Sequence, residues 1–557
     1  MSQNDNGLVP AKDLFFKLLQ NAGAHNIFGN PGTTEFPFMD ALADHPGINY
    51  RLAIHDAVAV GMAVGFSQTT GAPSVVNLHA TPGMTNALGN IYNAHKSKVP
   101  VIVTAGQVDT HIHLTEPPLW GPMVDIVKPI TKWAYEVKHA EELVSATRRA
   151  LHIALTPPYG PVFLSLPADV LDGLVPDEDV SFTPLEINDS PNDDSVANIL
   201  SLLENSQAPM LVVGDGLAQS KEHAAAVAFA ELFGARVVTE RIAPTVAFPT
   251  GHPQYFGSIG FDGRAIAETF NKHDLVIIAG ASRLIPIVPD PELKIRADLK
   301  VIQIDQDSWE VAKVLQPSVG LIADPGRVLK RVVELAKSTE PSAAAQERIL
   351  NLAIEHAAIV EKRAERRERE QDAKPIAVSN VVTQLAAHIR PQDIVFDESL
   401  TSTPVLTQFA DWNSGQYYGI KGTCLGWGLP AALGAQMAAG DSARMVSFIG
   451  DGAMMYAPQT LWSAAHYNMP LVVIVVNNRS YKILKEGMKY YREGQEKPYF
   501  AMDLENPAID YVKLAESMGV TAERIENPED VSAALQRAFA STGKPYLLEI
   551  LVDRTVN

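Results

Sequence analysis

After the apolar stretch Met445 to Phe448 the chain reads Ile449-Gly450-Asp451-Gly452-Ala453, and some two dozen residues further on it reads Asn477-Asn478-Arg479-Ser480-Tyr481. A helix-like stretch, Pro458 to Asn468, and a second apolar run, Leu471 to Val476, lie between. That order builds one strand–helix–strand crossover, which sets two parallel strands side by side. One strand then delivers a carboxylate and its neighbour a carboxamide to the same edge of a sheet. Open α/β sheets bind ligands outside the carboxyl ends of their strands, and hard oxygen donors there suit Mg²⁺ held on a diphosphate. Gly214-Asp215-Gly216 also follows an apolar run, Met210 to Val213, but no Asn pair follows it at a matching distance. It reads as an ordinary strand-to-loop turn.

The same alternation of short apolar strands and helix-like stretches recurs along the chain, in three blocks. The first, Leu8 to Pro184, alternates helices at Lys12 to Ala22, Ala57 to Thr69 and Thr81 to Lys96 with strands at Ser74 to Leu78, Val99 to Ala105 and Val162 to Leu166. A polar linker, Asn188 to Asp194, leads to a second block with strands at Met210 to Val213, Arg236 to Val238, Leu275 to Ala279 and Val301 to Ile304. A Ser/Pro/Ala stretch (Ser338 to Ala345) and the charged run Glu361 to Asp372, read as a solvated helix face, precede the third. Its strands fall at Ile394 to Phe396, Met445 to Ile449, Leu471 to Val476 and Tyr546 to Leu551. The fold class is α/β, with three doubly wound, mostly parallel domains expected at 1–187, 195–337 and 375–557.

Charge and cysteine usage narrow the partners. A net charge of −19 argues against nucleic acid or an anionic membrane as a partner. The lone Cys424 rules out an intrachain disulfide and suits a reducing compartment. No apolar run reaches the ~20 residues of a membrane span, and the first residues carry no signal-peptide pattern. The expected location is cytoplasmic.

Two further candidates stand at strand ends of the first block. His55-Asp56 closes the strand-like Tyr50 to Ile54, and His79 closes Ser74 to Leu78 just before Thr81-Pro82, a fitting N-cap and first-turn pair. The Asp–Asn spacing of the third block resembles the fingerprint of thiamine diphosphate enzymes. Asn30-Pro31-Gly32-Thr33-Thr34-Glu35, Leu52 to Gly65, Asn77-Leu78-His79-Ala80, Val103-Thr104-Ala105-Gly106-Gln107, Phe248 to Pro253 and Leu425-Gly426-Trp427-Gly428-Leu429-Pro430 are similar to the benzoylformate decarboxylase type. They are more loosely similar to acetolactate synthases and other 2-oxo acid decarboxylases.

The resemblance covers nearly the whole chain. It implies a pyrimidine-binding first domain, a central domain and a diphosphate-binding third domain, with the site between two subunits of a homotetramer. It implies non-oxidative decarboxylation of a small 2-oxo acid to an aldehyde, with thiamine diphosphate and Mg²⁺ as cofactors. Carried over by position, Asp56 replaces the glutamate that activates the pyrimidine. His79 is the pocket histidine, and Thr33 replaces a serine that touches the substrate carboxylate. Asp451, Asn478 and the Ser480 carbonyl would hold Mg²⁺. Thr423 would offer its carbonyl to the aminopyrimidine, and Leu425 would prop the bent cofactor. Leu400, Thr401, Gly452, Ala453, Tyr456 and Tyr481 would line the diphosphate and its approaches.

Two departures qualify the transfer. Asp56 is one methylene short of the usual glutamate, a loss of roughly 1.5 Å in reach. The stretch Ala279 to Ile287 has no histidine where the benzoylformate decarboxylase pattern places a second one. Bulk at Lys482-Ile483-Leu484 points to a shorter or differently angled substrate. A carboligase or carbon–carbon lyase of the acetolactate synthase type, taking an acceptor aldehyde, is the alternative enzyme reading. A weakly active cofactor-binding subunit, motivated by Asp56, is the alternative from another class. His111 and His113 resemble a metal pair but have no third ligand nearby, and Cys424 reads as a packing residue. Trp120, Trp133 and Trp427 read as core or interface aromatics. No nucleotide-binding GxGxxG marks the central block.

Overall fold

The strands Ser74–Leu78, Val101–Gln107 and Val162–Pro167 are buried at every residue, which requires a helical layer on each face, as parallel crossovers provide. The structure is a computed structural model describing residues 7–241, 243–260, 262–282, 284 and 294–556. It contains three six-stranded sheets. The N-terminal sheet runs in the order Asn49–Leu52, Asn26–Gly29, Ser74–Leu78, Val101–Gln107, Val162–Pro167, Trp133–Glu136, with every pairing parallel. In the C-terminal sheet, Ile394–Glu398, Met445–Gly450, Val472–Asn477, Tyr546–Leu551 and Thr521–Ile525 follow one another. These five repeat the strand order of their N-terminal counterparts, so the two domains share one winding. The three-domain α/β expectation holds, and a short antiparallel pair, Leu8–Pro10 with Leu174–Pro176, adds to the parallel sheets.

Contact clustering divides the chain into two compact units. One comprises Met1–Glu186, Val395–Thr401 and Ile420–Asn557; the other comprises Ile187–Ile394 and Ser402–Gly419. In the second unit the central sheet has the order Tyr255–Ser258, Arg236–Thr239, Pro209–Val213, Leu275–Ala279, Lys300–Asp305, Val319–Ile322, which reverses between Pro209–Val213 and Leu275–Ala279. Such a switch point is where dinucleotides bind in this topology. Here the fully buried Glu240 accepts hydrogen bonds from Asp215 N at 3.2 Å and Ser282 N at 2.9 Å. A carboxylate of the chain itself thus occupies the amide groups that a phosphate would seek. Gly214-Asp215-Gly216 is the turn expected, opening the short helix Asp215–Ser220. The charged run, apart from Gln371 and Asp372, lies on the long helix Ala343–Glu370, where Ala345, Leu352 and His356 are the buried residues. Of the stretch Ala279 to Ile287, residues 283 and 285–287 lie outside the described residues.

Within the first unit, helix Asp56–Thr70 is buried on all sides along its first three turns, the mark of a core helix. It packs on helix Gly428–Ala439 so closely that a Cβ on Gly65 would sit 1.9 Å from the Ala431 carbonyl oxygen, and one on Gly434 would sit 1.9 Å from the Met62 carbonyl oxygen. The two backbones touch because glycine stands at both crossings. Gly65→Ala is therefore expected to cost about 1–3 kcal/mol through overpacking, although alanine is the better helix former. Gly89→Ala, whose Cβ would meet only the Cys424 Cβ at 3.5 Å, should leave stability unchanged or raised. Urea denaturation of both variants checks this.

Candidate active site

The sequence-expected residues gather at the carboxyl ends of strands. Parallel pairing sets Gly450 beside Val476, so the chain leaves both strands at one edge, with Asp451 following one and Asn478 the other. Helix Thr460–His466 lies between them in sequence, as anticipated. The Asp451 carboxylate is buried, with Oδ1 accepting from Gly452 N at 2.9 Å and Oδ2 meeting no hydrogen-bond partner. Burial pushes its carboxyl up to about 6, against the pull of the Gly452, Arg479 and Ser480 amides. The buried Tyr511 donates its hydroxyl to the Asp451 carbonyl at 2.8 Å, fixing the backbone there. Asn478 Oδ1 accepts from Ser480 N at 2.9 Å and from Ser480 Oγ at 3.3 Å. Asn477 turns inward instead, donating to Glu549 at 2.7 Å. The Tyr481 ring covers Gly452, where a Cβ would lie 2.6 Å from it.

The second cluster is N-terminal. The strand before Asp56 ends at Leu52, earlier than expected, and His55 is the N-cap of the helix, its Nδ1 accepting from Ala57 N at 3.1 Å. Asp56 is therefore released from capping. Its Oδ2 lies 3.4 Å from Asn30 Nδ2, and its buried Oδ1 has no partner. A Cβ on Gly83 would stand 2.4 Å from Asp56 Oδ1 and 3.3 Å from His79 Cβ, so the aspartate and the histidine flank the same point. The expected cap at Thr81 is not formed. The helix begins one residue earlier, at Ala80, because Ala80 N is held by Glu35 Oε1 at 3.1 Å. Thr33 is exposed, at the start of the turn Thr33–Glu35.

A third group joins these. Glu398 is fully buried and accepts from the amides of Gly426, Trp427 and Gly428 at 2.7, 3.2 and 2.8 Å. Burial pushes its carboxyl up to about 7, with the three amides opposing. Asn93 clamps Cys424 from both sides, donating to its carbonyl at 2.7 Å and accepting from its amide at 3.2 Å. Asn90 donates to the carbonyls of Ala57 at 2.8 Å and Gly426 at 3.0 Å. Thr423 and Leu425 thus sit on a loop fastened at both flanks, and Tyr456 packs against Gly426. Ala80, Leu400, Thr423 and Arg479 all have left-handed backbones, with φ of 43°, 50°, 62° and 55°. Such strain costs about 1–3 kcal/mol per residue and collects at functional loops. Thr401 is half-buried, and Ala453 is buried beside Gly452.

Other residues are structural. His113 Nε2 lies 2.8 Å from the Val108 carbonyl and His111 pairs with Asp169 at 3.2 Å. No group of three or more His, Cys, Asp or Glu among the described residues could hold a metal. Burial raises the Cys424 thiol, as fits a packing residue, and Trp427 is a core residue. Ile483 and Leu484 are exposed on helix Lys482–Tyr491. An open depression lined by Gly440, Asp441, Arg444, Asn468, Met469 and Pro470 lies at the amino ends of the strands, opposite the edge that carries Asp451.

Three family models match the chain: "Thiamine pyrophosphate enzyme, N-terminal TPP binding domain" over residues 10–119, the central domain over 196–332, and "C-terminal TPP binding domain" over 402–550. The chain belongs to the thiamine pyrophosphate enzymes. Among these enzymes it is 30% identical to benzoylformate decarboxylase of Pseudomonas aeruginosa, across 96% of this chain and 97% of that one. It is 27% identical to the acetolactate synthase large subunit of Corynebacterium glutamicum, across 96% and 85%. The fold superposes on a thiamine diphosphate-dependent 4-hydroxybenzoylformate decarboxylase from Rhodococcus jostii with a TM-score of 0.85 at 27% identity, covering 99% and 100% of the two chains. The benzoylformate decarboxylase of Polynucleobacter necessarius gives 0.86 at 25%, covering 98% and 99%. As a thiamine pyrophosphate enzyme, the chain falls in the class of carbon–carbon lyases and carboligases.

Residue-type reading missed Glu35, Asn90, Asn93, Glu398 and Tyr511. An acidic residue directly before the apolar Phe36-Pro37-Phe38 was the available signal for Glu35. In Glu398→Gln, an NH₂ group replaces one of the two accepting oxygens and must face at least one of the three backbone N–H groups. The cost expected is about 1–3 kcal/mol, read as a lower calorimetric unfolding midpoint.

Proposed function

We propose that this enzyme decarboxylates a small 2-oxo acid to an aldehyde, using thiamine diphosphate anchored through Mg²⁺. The observation that carries this reading is the buried Asp451 Oδ2, which has no hydrogen-bond partner beside the Asn478–Ser480 turn. A desolvated carboxylate oxygen without a donor is compensated well by a hard cation. Asp451, Asn478 Oδ1 and the Ser480 carbonyl would hold the ion, with the 3.3 Å Ser480 hydroxyl contact the one most readily given up. The backbone around Gly452 and Ala453, with Leu400, Thr401, Tyr456 and Tyr481, would surround the diphosphate.

When bound, thiamine diphosphate supplies a carbon nucleophile for the 2-oxo carbonyl and an electron sink for the bonding pair left behind when CO₂ departs. Asp56 would face the pyrimidine ring and share a proton with its ring nitrogen. The Thr423 carbonyl would accept from the amino group of the cofactor, and Leu425 would support it. Thr33 would orient the substrate carboxylate, and His79 would relay protons to and from the substrate. We infer that two copies complete each site within a homotetramer, a dimer of dimers. A cytoplasmic setting accords with the single cysteine. The boundaries 1–187, 195–337 and 375–557 serve as domain limits in this proposal.

The absence of histidine from Ala279 to Ile287 favours a second reading, carboligation, because a carbanion that is slow to gain a proton can attack an acceptor aldehyde. Supplying aliphatic and aromatic 2-oxo acids with and without an aldehyde, and identifying the products, decides between the two. Asp451→Ala is expected to abolish Mg²⁺-dependent uptake of thiamine diphosphate in calorimetric titration after dialysis against chelator. Uptake at native affinity would overturn the metal assignment. Asp56→Ala should lower turnover at least about a hundredfold. Asp56→Glu tests the shorter side chain directly: a loss of turnover marks a site built around aspartate. A gain in turnover would instead mark an impaired native site, as in a weakly active subunit.

A further inference from the structure

Glu35 has no assigned role, yet it is the most densely bonded side chain near the candidate site. Its carboxylate is fully buried. Oε1 accepts from Thr34 Oγ1 at 2.8 Å, Gly106 N at 3.0 Å and Ala80 N at 3.1 Å. Oε2 accepts from Gly32 N at 2.8 Å and lies 3.0 Å from His79 Nδ1. The donors come from the loop after Asn26–Gly29 and from the ends of Ser74–Leu78 and Val101–Gln107, three adjacent strands. Glycine is required at two of these positions. A Cβ on Gly32 would fall 1.8 Å from His79 Nδ1, and one on Gly106 would fall 2.2 Å from Glu35 Oε1. The chain has kept space for this carboxylate and for the imidazole pressed against it.

We propose that Glu35 is a positioning residue that fixes the tautomer and aim of His79, holding Nδ1 protonated and leaving Nε2 as the nitrogen that exchanges protons with substrate. This deepens the role proposed above for His79 and rests on it. Every group facing Glu35 is a donor, so the carboxylate accepts throughout and Nδ1 must bring the hydrogen. The remaining polar neighbour of Nδ1 is Thr34 Oγ1, at 3.5 Å, whose hydrogen is already directed to Glu35. With Nδ1 committed and the ring about a quarter exposed (26%), Nε2 is left for solvent or substrate. Glu35 itself neither gains nor loses a proton: Nε2 accepts one and returns it, while Nδ1 keeps its own. A carboxylate that orients an imidazole in this way acts through the histidine and never touches the reacting atoms.

The test is ¹⁵N NMR of protein labelled at histidine, with the His79 ring signals assigned by their loss in His79→Gln. In the native protein the neutral His79 ring should carry its hydrogen on Nδ1 with Nε2 bare. A bare Nδ1 overturns the proposal without any Glu35 variant having to fold. In Glu35→Gln the preference should fall or invert while thiamine diphosphate affinity stays within about threefold. Turnover of the best 2-oxo acid from the screen should then drop at least about a hundredfold in kcat with little change in KM. The double variant Glu35→Gln/His79→Ala should be no slower than His79→Ala alone. An equal loss from Glu35→Gln in both backgrounds would mean that Glu35 acts independently of His79, and the proposal fails. Should no 2-oxo acid be turned over, the functional reading falls, while the tautomer measurement still decides the pairing.

Discussion

The contact between helices Asp56–Thr70 and Gly428–Ala439 sets the frame for everything around it. Two backbones meet where Gly65 and Gly434 leave no side chain between them. Asn90 then spans from the first turn of one helix to the loop leading into the other, and Asn93 grips that loop at Cys424. The position of Asp56 and the shape of the Thr423–Gly428 loop are consequences of one close approach. Small residues at a helix crossing bring polar chain ends to fixed separations that bulkier packing would blur.

Buried carboxylates supported by backbone amides recur. Glu398 gathers the amides before one helix, Glu35 gathers amides from three segments, and Glu240 occupies the switch point of the central sheet. An isolated buried carboxylate would be very costly. Here each one satisfies N–H groups that would otherwise be orphaned at loop and helix beginnings. The charge and the loop geometry require each other. Asp56 and Asp451 differ from these three. Each is buried and each keeps one oxygen without a hydrogen-bond partner, and each has a binding role in the function proposed above.

Much of this was legible in the sequence where chemistry is local. Apolar runs ended by Gly-Asp-Gly, Asn-Asn or His gave the strands and the edge to which they lead. The short strands Trp133–Glu136, Tyr255–Ser258 and Tyr417–Gly419 were not legible, being brief and mixed in polarity. The cap at Thr81 was misplaced because a distant glutamate, not the local hydroxyl, satisfies the first amide of that helix. Glu35 and Glu398 were missed for the same reason: their partners lie in other segments, and spacing within one stretch carries no trace of them. The mapping of Thr33, Asp56 and His79 onto roles came from resemblance, while their placement at strand ends came from the residues themselves.

The completeness of the hydrogen bonding at Glu35 limits how this lineage can diverge. Losing the imidazole at position 79 takes one donor from the buried Glu35 carboxylate, and a replacement that brings its own hydrogen, as a carboxamide or ammonium does, restores it. Apolar substitutions leave that carboxylate one donor short unless position 35 changes as well. New reactivity on this scaffold would therefore arise through paired exchanges at 35 and 79, and descendants should show the two sites drifting together.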